Sequence, residues 1–246
     1  MSKITKIALI SIGAGALLCI LSFLLVGGRW TGYNSKGNEY ARKEYESGTG
    51  IDKIKIDETA NSVILQSADT DTVLIEYYEN PDKPSYEIEE KDGELKFEKN
   101  DRSSFQLFNI DFSKKDVTVT IPEDYKGKLD IELTAGEIEA TSITASDIKI
   151  DNTTGSIKLD NVRSTGDIDI DNTTGEIVFT NLKSGGDIKL ENTTGSIEGS
   201  IVGKESDYSI KADISTGDCN LSDSEGGSKN LNVEATTGNI EITFTE

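Results

Sequence analysis

What this chain of 246 residues lacks already limits its chemistry. It contains no histidine and only two cysteines. The absence of histidine removes the most common general acid or base from any catalytic scheme. Cys219 is the only cysteine beyond residue 26, so the rest of the chain has no intramolecular disulfide. Aligned on the repeated glycines described below, Cys219 takes the position of Ile157 and Ile177, which predicts a buried, small apolar residue rather than a reactive thiol.

Proline and positive charge are also scarce. Three prolines accompany 23 glycines, which favours uninterrupted strands joined by many tight turns. The 25 lysine and arginine residues face 45 aspartate and glutamate residues, and the formal net charge is −20. A nucleic-acid partner is excluded, because binding a phosphate backbone requires a basic surface that displaces counterions.

Charge of either sign is missing from one long segment near the N-terminus. Residues 7–26 are a run of 20 uncharged, mostly apolar residues, which as a helix would cross a hydrocarbon core about 30 Å thick. We predict an uncleaved transmembrane signal anchor. A cleaved secretory signal is the alternative, although its apolar region is usually only about 7–15 residues long. Lys3 and Lys6 precede the segment, which favours a cytoplasmic N-terminus.

These features define the predicted domains. Residues 1–6 form a short cytoplasmic tail, residues 7–26 the transmembrane helix, and residues 27–50 a polar linker. Residues 51–246 form the ectodomain. The chain is therefore predicted to be a single-pass cell-membrane protein whose C-terminal domain is extracytoplasmic.

A repeated pattern dominates the second half of the chain. An apolar residue precedes a threonine-rich corner that ends in glycine, and another apolar residue stands two positions after that glycine. Successive corner glycines are separated by 19, 20, 20, 22 and 21 residues, spacings typical of solenoids in which each repeat is one coil. These glycines are Gly136, Gly155, Gly175, Gly195, Gly217 and Gly238.

Within each repeat the apolar residues alternate with period two, which indicates β-strands. We predict an all-β fold, a parallel β-helix or β-solenoid, in which residues 129–246 form the repeat coils. Each coil would contain two strands joined by two turns, whose Asn, Asp, Ser and Thr side chains bond their own backbone. Six coils would form a rod roughly 24–29 Å long at the usual strand spacing.

Stacking in chain order would place equivalent residues above one another. The Asn residues of the corner also match Asn-x-Thr glycosylation acceptors, but a corner ladder explains them more simply. The expected ladders are Ile148, Ile168 and Ile188 in the interior and Asn152, Asn172 and Asn192 at the corner.

Residues 51–128 contain short strand-like runs without the regular corner. We predict that they form an irregular β cap on the first coil, because the open end of a stacked array must be covered. An apolar cluster in this region would belong to the cap core or, alternatively, form a patch that contacts a partner or the membrane. It consists of Phe105, Leu107, Phe108, Ile110 and Phe112.

Two segments at the start of the repeats resemble a known family. Residues 117–125 read Val-Thr-Val-Thr-Ile-Pro-Glu-Asp-Tyr, and residues 129–138 read Leu-Asp-Ile-Glu-Leu-Thr-Ala-Gly-Glu-Ile. Together with the Thr-Gly-x-Ile coils that follow, they are similar to the DUF4097 group of candidate surface adhesins, over about residues 50–246. The resemblance implies a bacterial envelope protein with a β-solenoid, often linked to envelope-stress systems, and it supplies no catalytic residues.

Acidic residues recur at two positions of successive repeats, in the rows Asp151, Asp171, Glu191 and Asp147, Asp167, Asp187. Because the repeat itself generates paired carboxylates, they are weak evidence for the acid pair of a glycan-processing enzyme. Bridging by Ca²⁺ is an alternative to solvated acidic faces, but the glycine-rich loop of calcium-loaded β-rolls is absent. We predict no catalytic residue, no cofactor-binding residue and no metal site.

The predicted function is that of a non-catalytic, membrane-anchored binding or scaffolding module of the bacterial cell envelope, similar to an adhesin. Its partners would be the membrane, through the anchor, and an envelope protein or glycan. An accessory regulator of an envelope-stress complex is the alternative, and a glycan-processing β-helix enzyme is less favoured because a fold alone confers no activity.

Overall fold

The structure, a computed structural model, describes residues 40–100 and 116–245. Strands form nearly all the regular structure in these ranges, and the single helical element among them is a 3-10 turn at Glu205–Asp207. No helix within the two ranges is long and apolar enough to cross a membrane. The predicted cytoplasmic tail, the transmembrane segment at 7–26 and the apolar cluster at 105–112 lie outside the described residues.

The strands are numbered in chain order. They are β1 (Ala41–Glu46), β2 (Lys53–Glu58), β3 (Val63–Ala68), β4 (Leu74–Glu79), β5 (Tyr86–Lys91), β6 (Glu94–Lys99), β7 (Val117–Pro122), β8 (Lys128–Ala135), β9 (Ile138–Thr141), β10 (Thr144–Ala145), β11 (Ile148–Thr154), β12 (Ile157–Asp160), β13 (Arg163–Ser164), β14 (Ile168–Thr174), β15 (Ile177–Ser184), β16 (Ile188–Thr194), β17 (Ile197–Val202), β18 (Tyr208–Thr216), β19 (Lys229–Thr237) and β20 (Ile240–Thr245).

The central coils, residues 128–202, stack in chain order as parallel strands. Strand β11 pairs with β8 and β14, and β14 pairs with β16, without a shift in register. The predicted interior ladder is confirmed: Ile148 is paired with Ile168, Ile168 is paired with Ile188, and all three are buried. The parallel, all-β, solenoid-like architecture therefore follows the repeat found in the sequence.

The first three central coils have three sides rather than the two that we predicted. A third, two-residue parallel ladder joins Thr144–Ala145 to Arg163–Ser164 and then to the end of β15. The additional corner forms where Asn161 and Asn181 adopt φ values of 54°, a left-handed conformation that asparagine tolerates better than most residues. This corner lacks glycine, which is why the repeat pattern did not reveal it.

The last two coils stack in reverse order, contrary to the expected stacking in chain order. The last coil, residues 229–245, lies between the fourth central coil and the end coil, residues 208–219. Strand β19 pairs with β16 on one side and β18 on the other, while β20 pairs with β17. Cys219 is bridged to Ile240, which confirms its predicted position, but it is only half-buried because the end coil is outermost.

The N-terminal region shows the same exchange and is not simply an irregular cap. Strand β2 pairs in parallel with both β6 and β8, and β3 pairs with both β7 and β9. Residues 53–68 therefore form a coil that lies between the first central coil and an outer coil made of β6 and β7. The parallel stack has eight levels instead of six, which corresponds to roughly 33–34 Å.

Only an outer layer of this region is antiparallel. Strand β5 pairs with β6, β4 pairs with β7, and β1 pairs with β4. These strands cover the outer coil, as a cap on the open end of a stack must. Strand β1 lies within residues 27–50, so the predicted linker ends in regular structure.

Candidate binding surface

The corner asparagines hold the central coils together from inside. Asn152 and Asn172 both donate from Nδ2 to the carbonyl oxygen of Gly155, at 3.1 and 3.2 Å. Gly155 has a φ of 132°, and a Cβ there would lie 1.8 Å from the carbonyl oxygen of Gly136, so only glycine fits. At most 4% of each ladder asparagine is exposed, which agrees with a corner ladder and leaves no accessible amide for a glycan.

The row of Asp147, Asp167 and Asp187 is bonded to the backbone rather than simply solvated. Asp147 Oδ1 accepts a hydrogen bond from the backbone N–H of Asp167 at 3.2 Å, and Asp167 Oδ1 accepts one from Asp187 at 2.8 Å. Asp187 Oδ1 accepts the next bond from Asn230 at 2.7 Å. Each carboxylate therefore fastens its coil to the following level, and charge makes such bonds stronger than neutral ones.

Electrostatics agree with this role. The backbone N–H of Asp167, followed by the Lys128 ammonium, lowers the pKa of the Asp147 carboxyl. The side-chain and backbone N–H groups of Asn230 lower the pKa of Asp187. A Cβ on Gly186 would lie 2.2 Å from Asp167 Oδ1, so the corner glycine makes room for the carboxylate. The repeat in the sequence shows these acids as a periodic row but not their backbone partners.

The second acidic row, of which the sequence showed three members, extends through all eight levels. Paired positions place one carboxylate at every level of the outer face of the nine-stranded sheet. We call this set the acidic row. In spatial order it is Glu98, Asp57, Glu132, Asp151, Asp171, Glu191, Glu234 and Asp213.

Lysines on the same face offset part of this charge. Lys55 Nζ lies 2.8 Å from Glu132 Oε1, Lys189 Nζ lies 2.9 Å from Glu191 Oε1, and Lys149 pairs with Asp151. Burial, and then the charges of Glu191 and Asp151, raise the pKa of Asp171. Among the described residues no group of three or more His, Cys, Asp or Glu side chains is arranged to hold a metal ion.

A ridge of hydroxyl groups runs beside the acidic row along the glycine corner. We call it the threonine ridge; its members are Thr134, Thr153, Thr154, Thr173, Thr174, Thr193, Thr194, Thr236, Thr237, Ser215 and Thr216. All are exposed. Within the described part of the chain none of their hydroxyls has a hydrogen-bond partner, so the expected side-chain bonds of threonine to its own turn do not form; the asparagine amides bond the turn instead.

An open groove lies between the acidic row and the threonine ridge. Its volume is about 270 Å³, and its wall includes Asp151, Asp171, Thr153 and Thr173. Side chains two residues apart on a strand share a face, so the acid and the threonine of each coil both point outward. The groove is thus polar, long and built from repeated positions.

A buried ionic cluster at the N-terminal end was not predicted from the sequence. The Glu58 side chain is fully buried; its Oε1 accepts from Lys99 Nζ at 2.8 Å, and its Oε2 accepts from the Tyr86 hydroxyl at 2.6 Å. The backbone N–H groups of Thr59 and Ala60 donate to it as well, both at 2.9 Å. Glu58 occupies the corner position that asparagine holds in the second, third and fourth central coils, and that shared position was the available signal.

Burial alone would raise the pKa of Glu58. The Lys99 ammonium, the Tyr86 hydroxyl and the backbone donors outweigh that effect and hold the pKa below its ordinary value. The same burial, and then the Glu58 charge, strongly raise the pKa of Tyr86. Because every oxygen of the carboxylate has a donor, this cluster anchors the first corner rather than offering a free acid.

Comparison with known proteins identifies the family to which this architecture belongs. The family model described as Toastrack DUF4097 matches residues 51–246, which confirms the resemblance noted in the sequence. The comparison with curated proteins found no match.

Solved structures that are similar to this chain come from several bacteria. A candidate cell adhesion protein from Clostridium sporogenes is 17% identical with a TM-score of 0.52, covering 84% of this chain and 100% of its own. A candidate adhesin from Bacteroides fragilis is 12% identical with a TM-score of 0.33, covering 84% of this chain and 98% of its own. A candidate lipid binding protein from Parabacteroides distasonis is 11% identical with a TM-score of 0.30, covering 83% and 97%. The first of these likenesses concerns the fold alone, and the other two are too distant to support an argument.

Proposed function

Because the chain belongs to the Toastrack DUF4097 family, we propose that it is a non-catalytic binding module displayed outside a bacterial cell from a membrane anchor. The observation that carries the proposal is the long outer face, on which the acidic row spans eight levels and the threonine ridge six. Such a surface presents the same groups many times, which suits recognition of an extended partner by many weak contacts.

A binding role is favoured over catalysis by what the acids already do. Asp147, Asp167 and Asp187 are occupied with backbone N–H groups, and the buried Glu58 with Lys99 and Tyr86. The members of the acidic row arise from strand register. A reaction would need an acid and a base set apart from such a pattern by their surroundings.

The anchoring part of the proposal rests on the sequence. Residues 7–26 carry no charge and are long enough to span a bilayer, and Lys3 and Lys6 favour a cytoplasmic N-terminus. Protease added to intact spheroplasts should digest the chain beyond Arg29 and leave the apolar segment in the membrane. Release of the whole ectodomain into the medium would contradict an uncleaved anchor.

Crosslinking in intact cells followed by mass spectrometry tests the binding role. We expect an envelope glycan or protein attached to the outer face of the coils. An accessory regulator of an envelope-stress complex would instead be recovered with a membrane protein attached through residues 1–50. Turnover of a glycan by the purified chain would overturn the proposal in favour of an enzyme.

A further inference from the structure

Within the described residues, the structure shows no role for the hydroxyls of the threonine ridge in holding the fold together. The ridge's eleven hydroxyls are exposed, and in the two described ranges they form no hydrogen bond with the protein. A hydroxyl can donate one hydrogen bond and accept two. The ridge therefore offers a regular series of unused donors and acceptors to a molecule outside the chain.

The threonine ridge also continues into coils whose buried corner residue is different. The buried asparagine of the second to fourth central coils is replaced by Ala235 in the last coil and by Ile214 in the end coil, yet both coils retain a pair of hydroxyl residues. The first central coil has Leu133 at this position and retains one hydroxyl, that of Thr134. The last coil and the end coil stack in reverse chain order, and their hydroxyl residues still align with Thr194. Packing of the corner thus varies while the outer hydroxyls remain.

The surroundings of the ridge define the charge of a suitable partner. In each of the six repeats an acidic residue stands two positions before the first hydroxyl of the ridge, and no lysine or arginine lies from that acid to the residue after the corner glycine. Coil by coil these segments are 132–137, 151–156, 171–176, 191–196, 213–218 and 234–239. A polymer lying on the ridge would meet hydroxyls and carboxylates. Lysines pair with Glu132, Asp151 and Glu191, and the carboxylates of the other three repeats repel phosphate, sulfate and uronate groups.

We propose that the threonine ridge, with the adjoining groove, binds a linear glycan that carries no anionic groups and lies along the axis of the coils. This deepens the proposed function, on which it rests, by naming the surface and the class of partner. Hydroxyls of the glycan exchange hydrogen bonds with the threonines, level after level. Because ridge hydroxyls recur about every 4.7–4.9 Å, a long chain engages several levels at once.

The test compares two sets of Thr→Val substitutions in the full chain, purified in detergent micelles. The ridge set is Thr153→Val, Thr173→Val and Thr193→Val. Valine keeps the shape and β-branching of threonine and removes only the hydroxyl. The control set is Thr141→Val, Thr165→Val and Thr180→Val, three exposed threonines away from the ridge. Thermal melts followed by circular dichroism verify that both variants fold.

Binding is measured by co-sedimentation with insoluble chitin and cellulose, which are uncharged linear glycans, and with calcium alginate beads, which are anionic. We expect the unmodified chain and the control set to bind chitin or cellulose but not alginate. The ridge set should bind at least about tenfold more weakly, which corresponds to about 1.4 kcal/mol. Added NaCl should have little effect, since the contacts are between neutral groups.

Three results would overturn the inference: equal binding by the ridge set and the control set, no binding of either uncharged glycan, or binding of alginate alone. Failure here is distinguishable from failure of the proposed function. If crosslinking in cells still attaches an envelope protein to the outer face of the coils, the binding role stands and only the glycan partner is wrong.

Discussion

The central coils and the two ends of the stack solve the same packing problem in different ways. In residues 128–202 each coil lies directly on the preceding one. At both ends, a coil close to a terminus of the described structure is inserted between two others, as β2 is between β6 and β8 and β19 is between β16 and β18. The exchange gives each inserted strand a partner on both sides.

The two regions also differ in how their coils are fastened. The central coils use close glycine contacts, the asparagine ladder and the backbone-bonded aspartates. The N-terminal end uses the buried Glu58 and a cluster of aromatic rings, in which Tyr86 and Phe97 stack 4.7 Å apart. At the other end Lys229 Nζ lies 4.6 Å from the centre of the Tyr208 ring and donates to the carbonyl oxygen of Ser184 at 3.0 Å. Repetition thus gives way to individual contacts where the stack must stop.

The largest effect should come from removing the inserted last coil. A chain ending at Ser228 loses residues 229–246 and leaves β18 without the one strand that pairs with it in parallel among the described residues. Residues 208–219 should therefore unfold too, although they remain in the chain. Hydrogen exchange followed by mass spectrometry would show protection lost from 208–219 and kept in the second central coil, 148–164. Continued protection of 208–219 would show that the end coil does not depend on the inserted one.

Charged substitutions in one interior ladder should sharpen the comparison. Ile168 and Ile210 are buried, at 1% and 3% exposure, and belong to the same ladder. Ile168→Asp should destabilise the central coils by about 4 kcal/mol or more, because an unpaired charge there has no route to water. Ile210→Asp should unfold only the end coil.

The control for both is Asp169→Asn, next to Ile168 on the outer face and within 3.7 Å of Lys189. It should cost less than about 1 kcal/mol, as exposed ion pairs usually do. Circular dichroism melts and hydrogen exchange would measure all three. Equal losses for Ile168→Asp and Asp169→Asn would contradict the assignment of inner and outer faces.

Sequence patterns predicted the central coils well because each depends on local, repeated chemistry. The spacing of the corner glycines gave the register, and the alternation around Ile148 and Ile168 gave the inner face. The stacking order at the ends was not predictable in this way, since β19 fits the same apolar slots whether it follows or precedes β18. The stacking order depends on the connections between coils and on single contacts such as Lys229 with Ser184. Such contacts do not recur, so they leave no periodic pattern in the sequence.

The candidate surface shows the same division. The periodic positions of the threonines and acids were visible, but periodicity cannot say which of them the fold consumes. Hydrogen-bond partners make that distinction: Asp167 is bonded to the next coil, whereas the Thr173 hydroxyl is bonded to nothing among the described residues. Whether a polar group has a hydrogen-bond partner in the folded structure, rather than its residue type, distinguishes the groups that join the coils from those that are free to bind a partner.

At the N-terminal end, Glu58→Gln should test the fastening that replaces the asparagine ladder. Removing the charge leaves Lys99 beside a neutral amide and takes an acceptor from Tyr86, so we expect a loss of about 3 kcal/mol, as for a broken buried pair. The matched control is Glu132→Gln, whose partner is Lys55 and whose side chain is 42% exposed; it should cost less than about 1 kcal/mol. Thermal or urea unfolding would measure both.

The pH dependence of this loss follows from the lowered pKa of Glu58. A carboxyl whose pKa is lower in the folded state contributes stability that is present above its ordinary value of 4.5 and is lost as the pH falls through the folded value. The difference between the unmodified chain and Glu58→Gln should therefore be constant from pH 7 to 5 and shrink below 4.5. A difference that grew on acidification would contradict the lowered pKa.

The smallest expected effect concerns cations on the acidic rows. Asp147, Asp167 and Asp187 already accept backbone N–H groups, and lysines pair with much of the other row, so millimolar Ca²⁺ should only screen repulsion. We expect a small rise in melting temperature that Mg²⁺ and additional NaCl reproduce. A true calcium site would stabilise the folded state by RT ln(1 + [L]/Kd), about 2.7 kcal/mol at a hundredfold excess over Kd.

The double variant Asp167→Asn with Asp187→Asn separates the two cases. If the carboxylates act through backbone bonds, it lowers the melting temperature equally with and without Ca²⁺, because asparagine retains an acceptor but loses the charge that strengthens the bond. A large shift specific to Ca²⁺ and abolished by that variant would show instead that metal ions bridge the coils.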